Sequence, residues 1–275
     1  MALTPIQRDV LKVIAERRRA AGEAYVAGGV ALNELLAASR RSRDVDLFHD
    51  TEAALVASWE ADRQALLGQG FILDLVRERP TFVEAVVSRD GESVVLEWSQ
   101  DSAYRFFPLI EHPILGLTLH PIDLATNKVL ALVGRREARD FVDVMACHEG
   151  LQPLGYLAWA AAGKDPGFGP SAIIEEAARS VRYSQADLDA LDFDGASPDA
   201  AQLSRRWHEA VTQARRLVSL LPVEHAGACV LDGDLGLARL DEASLVPALR
   251  AGRLWFHEGR VRGAFPTAQP RPVRP

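Results

Sequence analysis

A short apolar segment that ends in two glycines constrains this chain more than any other feature. Ala24–Ala27 has the composition of a short strand, Gly28 and Gly29 form a turn, and residues 30–36 have helical spacing. A second strand is predicted over residues 44–48, which read DVDLF. The order strand, turn, helix and strand predicts a sheet with packed helices, not an all-helical or all-β domain.

Two aspartates on the second strand are candidates for metal binding and catalysis. Alternate residues of a strand point to one face, so Asp44 and Asp46 lie together and Val45 points to the other face. Magnesium prefers oxygen ligands, and a carboxylate pair can hold the ions that neutralise a phosphate in transfer. The structural alternative is a solvated pair, or a pair neutralised by neighbouring arginines: Arg40, Arg41 and Arg43.

The glycine turn before the helix is a candidate phosphate site. Backbone N–H groups and the positive end of the helix dipole favour anions at such a place, so Gly28 and Gly29 are predicted to bind phosphate. Ser42 adds a hydroxyl donor. The basic cluster of Arg40, Arg41 and Arg43 borders this site and is suited to a triphosphate or an RNA end, with Arg43 taken as a nucleotide-binding residue.

These motifs, taken in order, resemble the nucleotidyltransferase superfamily, in particular the AbiEii/AbiGii-type toxin nucleotidyltransferases. That family carries a GG-x-AL turn and helix, followed by R-x-S-x-D-[IV]-D. The matching residues in this chain are Gly28, Gly29, Ala31, Leu32, Arg40, Ser42, Asp44 and Asp46. The resemblance covers about residues 23–148.

A lysine helix and an R-D-x-x-D motif extend the resemblance. The matching residues are Ala125, Lys128, Ala131, Arg135, Arg139, Asp140 and Asp143. The resemblance implies that Lys128 neutralises the triphosphate, and that Asp140 or Asp143 orients the lysine or helps to deprotonate the acceptor. On residue type alone, these side chains are typical of an exposed helix face with local ion pairs.

A third carboxylate is expected on a neighbouring strand, because active members of the superfamily generally have one. Glu97 is the first candidate, although family members more often show aspartate there. Asp101 is the fallback, and Asp74 and Glu84 are weaker candidates. His49, close behind the aspartate pair, is interpreted as a surface or capping residue, not as a base.

The rest of the chain is predicted in two parts. Residues 1–150 form a nucleotidyltransferase-like core of α/β (α+β) class, and residues 151–275 form a mainly helical region with a terminal hairpin at 254–261. In the core, Asp123 is expected to cap a helix. A first helix is predicted to begin at Thr4 and Pro5, with the Thr4 hydroxyl as its cap. The other predicted helices of the core are 51–68, 123–134 and 137–148. Its remaining strands are 71–76, 81–88 and 93–98, with a hairpin turn at Asp90 and Gly91 between the last two.

Composition limits the function classes further. The chain has 275 residues, of which 48% are hydrophobic, and a formal net charge of −7. The two cysteines form no CxxC or Cys/His cluster, so the sequence predicts neither a zinc site nor a disulfide framework. A signal peptide and a long apolar run are both missing, so we expect no membrane association and a cytoplasmic location.

Together, the residues and the resemblance predict a metal-dependent nucleotidyltransferase that uses Mg²⁺ or Mn²⁺ and a nucleoside triphosphate. The resemblance implies a toxin or defence protein, with a tRNA 3′ end as the first acceptor to test and an antitoxin protein as a partner. Two alternatives stay open at this point. One is transfer to a protein or a small molecule, and the other is an inactive nucleotide-binding or regulatory module.

Overall fold

The computed structural model describes residues 3–180, 182–233 and 235–266, and these residues group into two compact units. The first unit comprises Met1–Ala103, Pro108–Leu124 and Asp192–Ala196. The second comprises Tyr104–Phe107, Ala125–Leu191 and Ser197–Pro275. The boundary defined by contacts falls inside a helix, and the division of the chain at residue 150 stays a prediction.

Helices and strands alternate along the first half of the chain, and helices dominate the second half. The α-helices are α1 (Pro5–Ala21), α2 (Gly28–Leu35), α3 (Glu52–Gly68), α4 (Pro121–Arg135), α5 (Ala138–Gly150), α6 (Leu154–Ala161), α7 (Pro170–Ser180), α8 (Gln185–Asp189), α9 (Ala200–Leu220) and α10 (Glu242–Arg250). The strands are β1 (Ala24–Ala27), β2 (Arg40–Arg41), β3 (Asp44–His49), β4 (Ile72–Arg79), β5 (Phe82–Arg89), β6 (Glu92–Gln100), β7 (Tyr104–Arg105), β8 (Ile110–His112), β9 (Gly116–Thr118), β10 (Asp192–Phe193), β11 (Cys229–Asp232), β12 (Gly236–Leu237), β13 (Trp255–His257) and β14 (Arg260–Val261).

A seven-stranded mixed sheet organises the first unit. Its strand order is β4-β5-β6-β3-β1-β9-β8. The pairs β3–β6 and β1–β9 are parallel, and the other neighbours in the sheet are antiparallel. The mixed α/β class is therefore as the sequence predicts. The central strand β3 carries the aspartate pair, and its neighbour β1 leads into the glycine turn.

Helices α1 and α3 contact the sheet and each other, and they enclose a buried ion pair. Nη2 of Arg18 lies 2.5 Å from Oδ2 of Asp62, and Nε1 of Trp98 donates to the same oxygen at 2.9 Å. Both charged side chains are almost fully buried. Removal of one partner would leave an uncompensated buried charge, which costs about 3–5 kcal/mol. This pair therefore fixes the two helices on the strands that carry the site.

Local signals predict most elements of the first unit correctly. Thr4 caps α1 and accepts from the backbone N–H of Gln7, with Pro5 in the first turn. The strands predicted at 71–76, 81–88 and 93–98 are β4, β5 and β6. Asp90 and Gly91 connect the last two with φ values of 55° and 84°, as a tight hairpin requires.

Two of the predictions are wrong. Asp123 does not cap α4, because the helix begins at Pro121 and the N–H of Asp123 already donates to the carbonyl of His120. The terminal hairpin is not formed either. Strand β13 pairs with β11 and strand β14 pairs with β7, so each strand joins a distant partner instead of its neighbour.

The second unit packs helices closely around α6, whose eight residues are all buried. A Cβ on Gly155 would lie 2.9 Å from Cβ of Leu217, so a glycine is needed where α6 crosses α9. A three-stranded sheet, β12-β11-β13, completes the unit. Among the described residues, no helix is both long enough and apolar enough to cross a membrane.

Candidate functional site

The antiparallel pairing of β1 with β3 brings the glycine turn onto the aspartate pair. Ala27 is the register partner of Asp46, so Gly28 follows directly beside the carboxylate. A Cβ on Gly28 would lie 1.6 Å from Oδ2 of Asp46, and φ of Gly28 is +62°. Both the backbone conformation and the close approach require glycine here.

Gly29 faces two polar side chains from the segment before β3. A Cβ on Gly29 would lie 2.6 Å from Oγ of Ser42 and 2.7 Å from Nη2 of Arg40. Helix α2 begins at this turn, and Ala27 supplies no side-chain cap to its first N–H groups. Backbone N–H groups, a hydroxyl and a guanidinium are thus gathered at the start of a helix, a combination of donors that suits a phosphate.

A chain of hydrogen bonds links the start of α1 to the first aspartate. Oγ of Ser42 donates to Oδ1 of Asp44 at 2.9 Å. The backbone carbonyl of Ser42 accepts from Nε2 of Gln7 at 2.7 Å. Gln7 is buried, and its Oε1 accepts from the backbone N–H of Thr4, so the capping box of α1 fixes its side chain. Gln7 therefore holds the backbone from which Ser42 orients Asp44.

Acidic side chains form a row across three neighbouring strands. Asp46 on β3 is the register partner of Glu97 on β6, and Glu97 is the partner of Glu84 on β5. All three are half-buried and alternate with buried residues, so they share one face of the sheet. Adjacent strands lie about 4.8 Å apart, which brings the carboxylates of Asp46 and Glu97 within reach of one ion.

The register distinguishes between the candidates for the third carboxylate. Glu97 lies beside Asp46. Asp101 follows the end of β6, and its N–H donates to the carbonyl of His49, which is three residues beyond Asp46 on β3. Glu84 forms an ion pair with Arg77 at 3.9 Å. Asp74 lies on the edge strand opposite Val86. Glu97 is thus the best-positioned candidate.

The donor set has the chemistry that Mg²⁺ or Mn²⁺ requires, because Asp44, Asp46 and Glu97 all offer carboxylate oxygens. Among the described residues, no three or more His, Cys, Asp or Glu side chains are already gathered as a metal site. Asp44 is turned toward the hydroxyl of Ser42. The backbone positions of the three residues suit a shared ion, and their side chains would have to rotate toward it.

The three arginines of the basic cluster have different surroundings. Arg40 is buried beside Gly29, and its Nη1 donates to the carbonyl of Arg41 at 3.1 Å. Arg41 forms ion pairs with Asp194 at 2.7 Å and with Asp192 at 3.8 Å. Arg43 is exposed between Ser42 and Asp44. Arg40 is therefore the arginine of this cluster that lies at the glycine turn.

In the second unit, Lys128 lies between two buried carboxylates. Its Nζ is 3.1 Å from Oδ1 of Asp140 and 3.2 Å from Oδ2 of Asp143. Arg135 also contacts Oδ1 of Asp140, at 3.2 Å. Burial, followed by the charge of Asp143, raises the pKa of the nearby Cys147 thiol, which therefore stays protonated. The two carboxylates fix the position of the lysine side chain.

His49 points away from the aspartate face, as the alternation along β3 requires. Its ring is fully buried, and Nδ1 lies 3.2 Å from the carbonyl of Ser99. Burial, together with the charge of Arg18, lowers the pKa of His49 to about 4. The interpretation of His49 as a surface or capping residue is wrong in detail, because it is a neutral core residue. Its side chain lies on the face opposite Asp46, so His49 is not positioned to act as a base there, as the sequence predicts.

The sequence did not reveal two features of the site: the contact of Gln7 with Ser42, and the position of Arg40 beside Gly29. Thr4 and Gln7 have the spacing of a capping box, which is visible in the sequence. The bond from Gln7 to Ser42 joins residues 35 positions apart, and no local pattern could reveal it.

The chain resembles known proteins in its fold and not in its sequence. No protein-family model matches the chain, and no curated protein is similar to it in sequence. A solved structure from Helicobacter pylori that carries a nucleotidyltransferase assignment superposes with a TM-score of 0.56 at 14% identity, covering 79% of this chain and 98% of the other. A second protein of Helicobacter pylori, JHP933, superposes with a TM-score of 0.50 at 16% identity, covering 79% and 95%.

A weaker similarity is found to MenT4, a nucleotidyltransferase toxin from Mycobacterium tuberculosis H37Rv. The TM-score is 0.42 at 11% identity, with 80% of this chain and 85% of the other covered. The first Helicobacter pylori structure shows that the chain has a nucleotidyltransferase-like fold.

Proposed function

We propose that this chain is a metal-dependent nucleotidyltransferase, which moves a nucleoside monophosphate from a nucleoside triphosphate to an acceptor hydroxyl. The proposal rests on one arrangement: Gly28 lies against Asp46, and Asp46 is the register partner of Glu97 on the neighbouring strand. A glycine turn suited to phosphate and a carboxylate pair suited to a divalent ion lie in direct contact there. The nucleotidyltransferase-like fold supports the proposal independently.

In the proposed reaction, the acceptor oxygen forms a bond to the α-phosphorus and the bond from that phosphorus to the pyrophosphate oxygen breaks. The proton of the acceptor hydroxyl passes to solvent, and pyrophosphate leaves with the electron pair. Negative charge accumulates on the phosphate oxygens during this exchange. The chain's own contribution is to bind the triphosphate, align the acceptor and neutralise that charge.

The residues at the glycine turn would bind the phosphates. The N–H groups at the start of α2 and the guanidinium of Arg40 are the donors closest to Gly29. Ser42 keeps Asp44 in position, and Asp44, Asp46 and Glu97 would hold Mg²⁺ or Mn²⁺. When bound, the divalent ion would offset charge on the triphosphate.

The sequence resemblance adds Lys128 of the second unit to the proposal. A lysine ammonium is a compact charge that neutralises phosphate well. Asp140 and Asp143 accept from its Nζ, so their proposed role is to orient the lysine. Because both carboxylates already contact an ammonium, an orienting role explains their geometry better than proton abstraction from the acceptor.

The acceptor and the biological setting rest on the sequence resemblance alone. We propose a tRNA 3′ end as the acceptor, and a cytoplasmic toxin or defence protein held in check by an antitoxin. Transfer to a protein or a small molecule is the alternative outcome of the same experiment. The inactive binding module is the other outcome of that experiment, and it is motivated by the glutamate at position 97, where the family more often has aspartate.

The test is an incorporation assay with the full chain. Purified protein would be incubated with each α-labelled nucleoside triphosphate, Mg²⁺ and, in separate reactions, total tRNA or a protein extract. Asp46→Asn removes a proposed metal ligand, and Glu84→Gln is the matched control in the same acidic row. We expect label in tRNA with wild type and Glu84→Gln but not with Asp46→Asn. Binding of Mn²⁺ and nucleotide without transfer to any acceptor would favour the binding module and contradict the proposal.

A further inference from the structure

The outer edge of β4 is the least protected part of the seven-stranded sheet. Strand β4 lies at one end of the strand order, and among the residues that the structure describes no strand pairs with its outer side. Seven of its eight residues are exposed. Long edge strands expose backbone N–H and C=O groups, and proteins usually cover them or break them with proline or lysine. Strand β4 contains neither residue.

Apolar side chains are concentrated around this edge. Of the eight large apolar residues that are exposed among the described residues, five lie in β4 or in α3, the helix that contacts it. They are Val56, Leu67, Ile72, Leu75 and Val76. In the strand itself, Ile72, Leu75 and Val76 are 52–61% exposed, whereas Leu73 is half-buried. An accumulation of this kind is typical of an interaction surface.

The charges of β4 are arranged symmetrically about its centre. Asp74 precedes Leu75 and Val76, and Arg77 follows them. Residues three apart on a regular strand face opposite sides, but the register shifts between Leu75 and Arg77. Because of this bulge, Asp74 pairs with Val86 and Arg77 pairs with Glu84 on β5. Val86 and Glu84 lie on one face of β5. The opposite charges of Asp74 and Arg77 therefore share a face as well.

We propose that β4 pairs antiparallel with β4 of a second copy of this chain, so that the sheet continues through a symmetric dimer. The two-fold axis would pass between Leu75 and Val76. Asp74 would then lie opposite Arg77 of the partner subunit, and Leu75 opposite Val76 of the partner subunit. Symmetry doubles each contact, so the interface contains two cross-strand ion pairs and two apolar pairs.

The sequence of the strand favours this register and a self-partner. A shift of one residue in one direction would place Asp74 opposite Glu78 of the partner subunit, which brings like charges together. A shift in the other direction would place it opposite Val76 of the partner subunit, which removes the ion pairs. Only self-pairing requires one strand to carry both halves of the complementary charge pattern, as β4 does.

The experiment uses charge reversal at two exposed positions. Asp74→Arg would place arginine opposite arginine across the interface, and Arg77→Asp would place aspartate opposite aspartate. Each single variant changes two symmetric contacts, so we expect dimerisation to weaken about tenfold or more by sedimentation velocity. A mixture of the two single variants restores both opposite-charge pairs, so the mixture should form a heterodimer. Both side chains are exposed, and circular dichroism would verify the fold.

Several outcomes would overturn the proposal. Wild-type protein that stays monomeric at about 100 μM would mean that the bulge and the charges protect the edge instead of pairing it. Dimers that both single variants leave intact would place the interface elsewhere. The Arg77–Glu84 ion pair is lost only in Arg77→Asp, so a defect confined to that variant would also count against the strand pairing. The readout involves no catalysis and is independent of the proposed function.

Discussion

Gly28 lies so close to Asp46 that a Cβ on the glycine would be 1.6 Å from Oδ2 of the aspartate. This contact joins the turn proposed to bind phosphate to the carboxylate proposed to bind metal. It depends on the pairing of Ala27 with Asp46, which places the end of β1 beside the second aspartate of β3. The proposed function depends on this contact, and substitution of the glycine tests it.

Gly28→Ala should weaken the binding of Mn²⁺ and nucleotide by more than the strain of its backbone conformation alone explains. The methyl group would displace Asp46, so we expect the affinity for Mn²⁺ with nucleotide to fall about tenfold or more. Gly91→Ala is the matched control, because Gly91 also has positive φ but no atom lies near its Cβ. The control should cost only about 1–2 kcal/mol of stability. Calorimetric binding that is equal in the two variants would contradict the role of the contact.

Gln7→Glu should disturb the site without removing the cap of α1. The carboxylate can still accept from Thr4, but it cannot donate to the carbonyl of Ser42 and would repel it. We expect faster amide hydrogen exchange across residues 40–46 and weaker Mn²⁺ binding. Thr4→Ala is the control, since loss of the capping hydroxyl costs about 1 kcal/mol but leaves the bond to Ser42 in place. Equal amide exchange in the two variants would mean that Gln7 only caps α1 and does not hold the segment before β3.

His49 should make the protein acid-sensitive. Its pKa is about 4 in the folded chain and 6.5 as the ordinary value, so the unfolded chain takes up the proton first as pH falls. The contribution of the neutral ring is complete above pH 6.5 and is lost between pH 6.5 and 4, on the order of 3 kcal/mol. His49→Asn should flatten the pH dependence of urea unfolding in that range. An unchanged slope would show that another group is responsible.

Lys128→Met should destabilise the second unit. The variant leaves the buried carboxylates of Asp140 and Asp143 without their ammonium partner, and we expect a loss of about 3–5 kcal/mol in urea unfolding. Addition of Asp143→Asn should recover part of the loss, because one of the two buried charges is removed. A cost below about 1 kcal/mol would mean that the lysine is not the main counter-charge.

The local motif was predictable because all its parts lie within about 25 residues. Strand alternation gave the common face of Asp44 and Asp46, and the glycine turn before α2 followed from Gly28 and Gly29. The capping hydroxyl of Thr4, followed by Pro5, was a similarly local signal. In each case, backbone preference and hydrophobic spacing act over a few residues, so the sequence carries the information directly.

Features that depend on distant pairing were not predictable. The choice between Glu97 and Asp101 depends on the register of β3 against β6, and the register is set by the packing of the whole sheet. The segment at 254–261 has the pattern of a hairpin, but Trp255–His257 gains more by joining the buried strand β11. At residues 254–261, long-range strand pairing therefore overrides the local turn preference.

Tracing both ends of the triphosphate distinguishes nucleotidyl transfer from other transfers of phosphate. The acceptor found in the incorporation assay would be incubated with triphosphate labelled at the α or the γ position, using wild type, Asp46→Asn and Glu84→Gln. Nucleotidyl transfer predicts that α label enters the acceptor while γ label leaves as pyrophosphate, with wild type and Glu84→Gln but not with Asp46→Asn. Entry of γ label into the acceptor, or equal transfer by Asp46→Asn, would contradict the account.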